Sequence, residues 1–268
     1  MNKRVLFFII GLLILGYTIF YWYDYSRDVA TKKSDDLYKT IVERGYLIVG
    51  VKTDTKPFGF IDSNGENTGL DIDIARAISK EIFHEPSKVK FVPVTDQERL
   101  YILNKSKVDM VIATMTVTPS RQHFADFSKA YYITGQTLLV RNGSGIRAMS
   151  DLSDKKVGVI FGSTAEQTIK FLLPTAKVLG YKSYDLAYQA LKSGAILAVT
   201  SDDAILRNYA LKDSSVSLLS KKYTRDSYAI AFRRGDESNY IIDVVNNVIT
   251  DLDNQGKLAE LIRKWNLD

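Results

Sequence analysis

The chain has 268 residues, of which 46% are hydrophobic and 25% charged, and its formal net charge is +5. This balance is typical of a globular protein and excludes an intrinsically disordered chain. The absence of cysteine excludes disulfides, thiol catalysis and Cys-based zinc sites. The lysines and arginines form no basic tract, so nucleic acid is not an expected partner. Because the two histidines, His84 and His123, are far apart in sequence, we expect no metal site, no Ser-His-Asp triad and no cofactor.

The N-terminus carries a membrane-targeting signal. Lys3 and Arg4 precede an apolar run from Val5 to Tyr23 that ends in aromatic residues, which are typical of a membrane–water interface. No A-x-A-like cleavage site follows, so an uncleaved anchor is favoured over a cleaved signal peptide, and both remain open. We assign residues 1–25 to this signal or anchor and 26–36 to a polar tether. In either case we expect the rest of the chain in the periplasm or on the outer face of the cell membrane.

Strand and helix signals then alternate. The first set comprises a buried strand over Tyr46–Val51, a helix with apolar residues at Ile72, Ala75, Ile78 and Ile82, a strand over Lys88–Val94, a helix opened by a Thr95/Glu98 capping box, and a strand over Val108–Thr114. This alternation predicts a parallel sheet covered by helices.

A second set follows the loop at residues 141–145. It comprises a strand over Lys155–Phe161, a helix from Gly162, a helix over Ser183–Ser193, a strand over Ala195–Ser201, a helix from Asp202, a strand over Ser227–Arg234, and amphipathic helices broken near Gly256. We therefore predict an α/β protein with two lobes, each a mainly parallel sheet flanked by helices. Lobe one is expected over 37–136 plus 225–268 and lobe two over 137–224, with the ligand in the cleft between them.

Polar side chains follow the predicted strands, where ligands bind in open α/β sheets. In chain order, the candidates are Lys52, Asp54, Phe58, Phe60, Thr114, Thr116, Arg121, Ser163, Thr164 and Asp202. Together they offer cations, hydroxyls, a helix N-terminus, an anion and aromatic rings.

This set fits a zwitterion such as a free amino acid. Arg121 can bind a carboxylate through two parallel hydrogen bonds, and Thr164 opens a helix where anions are favoured. Asp202 can pair with the ammonium, Thr114 and Thr116 can supply further polar contacts, and the two phenylalanines can cover the ligand's methylene groups.

Each candidate also has a structural interpretation. Ser163, Thr164 and Asp202 are residue types that cap helix N-termini. Arg121 can be an ordinary surface residue, and the two phenylalanines can belong to the core. The sequence leaves both interpretations open.

The chain resembles the extracellular solute-binding proteins of family three, the polar amino-acid receptors of ABC importers. The resemblance runs from about Leu37 to Trp265 and rests on the stretches GVKTDTKPFGFID, GLDIDIARAISKEI, VDMVIATMTVTPSRQHFADFSKAYY, KKVGVIFGSTAE and SDDAIL. The T-x-T-P-x-R segment, followed by D-F-S, is the most specific of them. The resemblance implies the type II periplasmic binding protein fold, whose lobes are joined by two hinge strands near Gln136–Val140 and Ser227–Ala231.

The resemblance also implies roles for the site residues. Arg121 matches the arginine that clamps the ligand α-carboxylate, and Thr116 and Thr164 match its helping contacts. Thr114 and Asp202 match the contacts to the α-ammonium.

Side-chain specificity depends on the end of the first strand. Members that take aspartate or glutamate are similar to this chain in having a basic residue where Lys52 stands, which favours an acidic ligand. Glutamine is the next expectation, since Asp54 can act as an amide partner. The alternative is that Lys52 is solvated and Asp54 caps a turn. Leu197 replaces an Asp found in many members, a departure that we interpret as structural.

The predicted function is that of a monomeric receptor, not an enzyme, which delivers an amino acid to ABC permease subunits in the membrane. Two alternatives stay open. One is an enzyme of the same fold, similar to cyclic-acid dehydratases, since a fold alone does not determine activity. The other is a ligand-sensing domain for a membrane signalling partner, which an uncleaved anchor would suit.

Overall fold

The computed structural model describes residues 15–22 and 36–268. Residues 15–22 form a short helical segment with exposed side chains, and the rest of the predicted anchor and most of the predicted tether lie outside the described residues. Within those two ranges, no helix has both the length and the apolar character needed to cross a membrane.

The chain builds most of one lobe, crosses to a second, and returns. The first passage forms α1 (Asp36–Arg44), β1 (Leu47–Val51), β2 (Asp54–Thr55), β3 (Gly59–Ile61), β4 (Asn67–Thr68), α2 (Leu70–Phe83), β5 (Val89–Pro93), α3 (Arg99–Asn104), β6 (Met110–Ile112), α4 (Pro119–Gln122) and β7 (Ala125–Thr134). The second lobe contains β8 (Gln136–Arg141), a 3-10 turn (Met149–Leu152), β9 (Lys156–Ile160), α5 (Thr164–Leu172), β10 (Lys177–Tyr181), α6 (Tyr184–Ser193), β11 (Ala198–Asp202), α7 (Asp203–Ala210) and β12 (Val216–Leu218). The return forms β13 (Asp226–Arg233), a 3-10 turn (Asp236–Ser238), α8 (Asn239–Asn254) and α9 (Lys257–Lys264).

The two main sheets share one topology. Their strand orders are β5-β1-β6-β13-β7 in lobe one and β10-β9-β11-β8-β12 in lobe two. In each sheet, the fourth strand in this order runs against the other four. These opposed strands, β13 and β8, are the ones that the chain forms directly after crossing between lobes. The predicted two-lobed α/β fold with mainly parallel sheets is confirmed, while the exact lobe boundaries remain a prediction.

The predicted elements form for the reasons that their sequences suggest. The apolar β1 lies between β5 and β6, and four of its five residues are buried. The capping box before α3 is present: the Glu98 N–H donates to Thr95 Oγ1 at 3.3 Å, and the Thr95 N–H donates to Glu98 Oε1 at 3.1 Å. Gly256, with a φ of +71°, separates α8 from α9, because glycine tolerates this left-handed conformation.

Several elements were not predicted, among them α1, β7 and β12. Strands β2, β3 and β4 form a separate three-stranded sheet directly after β1. With two or three residues each, they are too short for an alternating pattern to be recognised. The edge strand β10 was also missed, because its mixed, partly exposed residues give no continuous apolar run.

Candidate functional site

The two lobes contact each other at the carboxyl ends of their sheets. Gly162, between β9 and α5, lies against the lobe-one backbone: a β-carbon there would be 2.6 Å from Gln97 Cα and 2.8 Å from the Asp96 carbonyl oxygen. Arg121 of lobe one donates from Nη2 to the Gly162 carbonyl oxygen at 3.2 Å. Tyr228 on β13 donates its hydroxyl to Asp202 at the end of β11. The structure is therefore that of a closed cleft.

Two spaces remain between the closed lobes. A cavity of about 490 Å³ is lined by Arg121, Ser163 and Thr164 among others. A groove of about 800 Å³ is lined by Asp54 and Phe60 of lobe one and by residues of α6 and α7 in lobe two. The predicted site residues are thus brought to the lobe interface, where some line these spaces and others lie buried.

Arg121 is a mostly buried cation that bonds only to carbonyl groups. Besides its contact with Gly162, it donates from Nη1 to the Thr116 carbonyl oxygen at 2.8 Å. Burial, together with repulsion from Arg99, lowers the pKa of Arg121 to about 9. No carboxylate among the described residues forms an ion pair with it. Neutral carbonyl groups therefore hold the Arg121 guanidinium in place, and its positive charge stays available for an anion.

Asp202 is the complementary case, a buried anion without a cationic partner in the described parts of the chain. Its Oδ2 accepts the Tyr228 hydroxyl, and its Oδ1 has no hydrogen-bond partner. Burial, aided by repulsion from nearby carboxylates, raises the pKa of Asp202 to about 7. A donor that approached Oδ1 would both complete its hydrogen bonding and favour its ionised form.

The helix-cap interpretation is wrong for two candidates. Ser163 and Asp202 occupy the N-cap positions of α5 and α7, but neither side chain makes a capping hydrogen bond. Ser163 instead donates its hydroxyl to the Ile160 carbonyl oxygen at 2.7 Å. The Asp202 carboxylate instead accepts the Tyr228 hydroxyl at the lobe interface.

Gln136 connects two of the lobe-two candidates, and sequence reasoning missed it. It lies opposite Asp202 in the β8–β11 register, so both side chains stand on one face of the sheet. Its Nε2 donates to Thr164 Oγ1 at 3.0 Å, while its Oε1 is buried and has no partner among the described residues. Thr200, two residues before Asp202 on this face, also has an unpartnered hydroxyl oxygen. Lobe two therefore presents several unsatisfied acceptors.

On lobe one, Thr114 and Thr116 are both buried just beyond β6. Thr114 has a φ of +47°, an uncommon conformation for a β-branched residue. Thr116 orients Arg121 through its carbonyl oxygen and also bridges to Tyr228 on β13.

Lys52 is buried in a cluster of paired charges. Its Nζ lies 2.5 Å from Asp96 Oδ2 and 3.4 Å from Asp54 Oδ1. Arg99 Nη1 lies 3.1 Å from the other Asp96 oxygen. Although burial alone would raise it, the charges of Arg99 and Lys52 hold the pKa of Asp96 below its usual value. The interpretation of Lys52 as a solvated residue is therefore wrong.

The two candidate phenylalanines lie in different surroundings. Phe58 is wholly buried and packs edge-on against Tyr228, with ring centroids 5.3 Å apart. Phe60 is partly buried and packs against Trp265, with centroids 5.8 Å apart, while the ammonium of Lys56 lies 4.6 Å from its ring centre. Phe58 thus supports the residue that holds Asp202, and Phe60 lines the larger groove.

Asp96, Arg99 and Tyr228 belong to this site but escaped the sequence analysis. Asp96 and Arg99 lie within the capping-box segment and the helix after it, and Tyr228 lies inside a predicted strand. Polar side chains at buried positions of an element are the signal that could have identified them, because such groups are seldom buried without a partner.

The chemistry of the site is recognition of opposite charges. The Arg121 guanidinium lines the smaller cavity, whereas Asp202 is buried at the lobe interface and lines neither of these two spaces. Among the described residues, no group of three or more His, Cys, Asp or Glu side chains is arranged to hold a metal ion.

Comparisons with known proteins identify the family. The model of the bacterial extracellular solute-binding proteins, family 3, matches residues 47–268. The ABC transporter glutamine-binding protein GlnH of Bacillus subtilis (strain 168) is 37% identical over 243 residues, 90% of this chain and 88% of that protein. The glutamine-binding protein of Geobacillus stearothermophilus is 34% identical over 83% of this chain and 86% of its own length.

Solved structures are also similar. The ancestral amino acid-binding protein AncCDT-1, a precursor of cyclohexadienyl dehydratase, has a TM-score of 0.78 and 36% identity, covering 85% of this chain and 98% of its own. The P235GK mutant of ArgBP from T. maritima has a TM-score of 0.80 and 31% identity, covering 87% of this chain and all of its own. The chain therefore belongs to the bacterial extracellular solute-binding proteins of family 3.

Proposed function

We propose that this protein is an extracytoplasmic receptor that binds a polar L-amino acid between its lobes and delivers it to an ABC importer. One observation carries the proposal. Among the described residues, Arg121 is a partly buried cation without an anionic partner, Asp202 is a buried anion without a cationic one, and both stand at the lobe interface. The backbone charges of a free amino acid complement this pair.

The proposal assigns each group of the ligand to one lobe. The carboxylate binds the Arg121 guanidinium, with Thr116 and Thr164 beside it, because a planar fork suits a carboxylate. The ammonium binds Asp202 Oδ1, with Thr114 as a further contact. Closure removes water from the ligand, so each of its charges needs an opposite partner. Ligand binding thereby favours the closed state.

The names of the relatives support an amino-acid ligand and an importer partner. Two are glutamine-binding proteins, and others that match are described as binding L-cystine, arginine, or glutamate and aspartate. The proposal treats the protein as a receptor rather than an enzyme. Its attachment to the membrane through Val5–Tyr23 and its monomeric state remain predictions.

Glutamine is the leading ligand in this proposal, and glutamate the second. The sequence favoured an acidic ligand because Lys52 was expected to be free to bind a side-chain carboxylate. The Lys52 ammonium instead contacts Asp96 and Asp54, and Arg99 balances the second negative charge. Since this cluster is neutral overall, an acidic side chain would find no unbalanced cation there, whereas a neutral amide needs none.

A ligand screen tests the proposal. The purified full-length chain is heated with each of the twenty common amino acids, and the hits are titrated by calorimetry. A ligand of the folded state raises the apparent stability by an amount that grows with its concentration. We expect glutamine to give the largest rise and glutamate a smaller one. No rise with any amino acid would contradict the receptor function, and a larger rise with glutamate would contradict the order.

A further inference from the structure

Thr114 adopts a conformation that needs support. Its φ of +47° lies in the left-handed region, where the side chain of a β-branched residue crowds its own backbone. It follows β6 at the edge of the cleft, where the proposed function assigns it to the ligand ammonium. Its direction therefore decides whether that contact can form.

Two buried charged residues hydrogen-bond to this part of the backbone, one at an N–H and the other at carbonyl oxygens. Asp71, in the first turn of α2, accepts the Thr114 N–H at Oδ2 over 3.0 Å. Arg99 donates from Nη1 to the Ala113 carbonyl oxygen and, at 3.3 Å, to that of Thr114. The other oxygen of Asp71 accepts the Tyr131 hydroxyl at 2.8 Å. Both carboxylate oxygens are therefore used.

Burial of the ionised Asp71 carboxylate carries a free-energy cost. Asp71 is wholly buried, and burial raises its pKa to about 6 even though it accepts two hydrogen bonds. No ion pair to it is formed by any residue that the structure describes, so it is retained without the charged partner that buried carboxylates usually have. Its bond to the Thr114 N–H is a charge-assisted hydrogen bond to a backbone group in an unfavourable conformation.

We propose that Asp71 is a positioning residue of the ligand site, which holds the backbone of residue 114 in its left-handed conformation where the ligand ammonium binds. This inference rests on the proposed function for the identity of the ligand. Asp71 does not touch the ligand and acts only through Thr114.

The test is a double-mutant cycle in the full-length chain, titrated with glutamine at pH 8, where Asp71 is ionised. Asp71→Asn is combined with Thr114→Gly and, as the matched control, with Thr114→Ala. Both replacements remove the hydroxyl, but only glycine adopts a positive φ without strain. We expect Asp71→Asn to weaken glutamine binding about tenfold in the wild-type and Thr114→Ala backgrounds. In the Thr114→Gly background we expect a loss of less than about twofold.

A merely structural role for Asp71 predicts equal losses in all three backgrounds, and that result would overturn the inference. So would unchanged binding by Asp71→Asn itself. If that variant does not fold, Tyr131→Phe takes its place, since it frees one carboxylate oxygen of Asp71. The loss of glutamine affinity should again depend on the residue at position 114, but should be smaller.

The role of Asp71 can also be tested without a ligand. If no amino acid binds the wild-type chain, the proposed function fails, and the same cycle is measured on the free energy of unfolding without ligand. Asp71→Asn should then destabilise the Thr114→Ala chain more than the Thr114→Gly chain. Equal destabilisation would overturn the role of Asp71 as the residue that holds Thr114.

Discussion

The cleft contains two sets of buried charges that differ in how they are satisfied. In the paired cluster of Lys52, Asp96 and Arg99, each charged group lies within 3.1 Å of an opposite one. Arg121 and Asp202, in contrast, bond to carbonyl and hydroxyl groups and form no ion pair within the described residues. Asp202 is as buried as the paired cluster and Arg121 is partly buried, so burial alone does not distinguish the two sets. The difference fits a structural role for the paired cluster in lobe one and, under the proposed function, a ligand-binding role for the unpaired charges.

The largest effect is expected from a substitution that breaks the paired cluster. Asp96→Ala leaves Lys52 and Arg99 buried with less compensation, so the free energy of unfolding should fall by about 3–5 kcal/mol. Chemical denaturation without ligand measures this loss. Asp151→Ala, which removes an exposed carboxylate of lobe two, is the control and should change stability far less. Equal losses would contradict a structural role for the cluster.

Removal of an unpaired charge should affect binding instead of folding. Arg121→Ala or Asp202→Ala leaves one ligand charge buried without a partner, at a cost of about 2–5 kcal/mol. That corresponds to a roughly thirtyfold to several-thousandfold loss of affinity. Calorimetry gives the affinity, and circular dichroism confirms folding. Arg234→Ala and Asp151→Ala are the controls, and folded variants with wild-type affinity would contradict the assignment of the site.

Closure itself is tested at Gly162. In Gly162→Ala, the new β-carbon would collide with the backbone of Gln97, and such overpacking costs about 1–3 kcal/mol. We expect a five- to hundredfold loss of affinity, because the collision exists only when the lobes are closed. Gly143→Ala is a matched control, since Gly143 has a similar φ of +75° but open space around it. Equal effects of the two variants would attribute the loss to backbone strain alone.

The raised pKa of Asp202 predicts a dependence on pH. Below its pKa of about 7, Asp202 is protonated and cannot pair with an ammonium, so affinity should fall by up to about tenfold per pH unit below pH 7. Titrations between pH 5.5 and 8 measure this fall, and a constant affinity would contradict it.

The same pKa has a consequence for stability without ligand. The folded chain binds a proton at Asp202 that the unfolded chain releases above its ordinary pKa of 3.8. Stability from this group is therefore complete below pH 3.8 and lost as the pH rises through 7. Asp202→Asn should accordingly be more stable than wild type at pH 8, by a margin that disappears toward pH 4.

The smallest expected effect concerns specificity. Asp54→Asn removes one negative charge from the surroundings of Lys52 and leaves them net positive. Because the Asp54 side chain is 38% exposed, its contribution is at most about 1 kcal/mol. We expect the affinity for glutamate to rise two- to fivefold relative to glutamine. Paired titrations measure the ratio of the two affinities. An unchanged ratio would contradict the proposal that the net charge around Lys52 sets the preference between glutamine and glutamate.

The sequence predicted most of the fold because its signals are local. Apolar runs, the Thr95/Glu98 capping box and the break at Gly256 each appear within a few residues, and each is present in the structure. The candidates at the strand ends also follow from topology, since parallel strands bring their carboxyl ends to one edge.

The partners of those candidates could not be predicted in the same way. Asp96 is distant in sequence from Lys52, and Tyr228 is distant from Asp202, so only the folded chain shows that one pair is an ion pair and the other a hydrogen bond. The side chain of Gln136 was overlooked because it begins a strand that was assigned to the hinge. Long-range pairing of this kind leaves no local pattern in one sequence.

The contact between Phe60 and Trp265 provides an optical signal. The chain has two tryptophans, Trp22 and Trp265, so Trp22→Phe leaves a single tryptophan. The Trp265 indole packs against Phe60, which lines the groove between the lobes, and its N–H donates to Asp73 at 2.8 Å. When the lobes separate, the solvent around this ring pair changes while the ring pair itself stays on lobe one. The emission of the unlabelled protein should therefore follow opening and closing in real time.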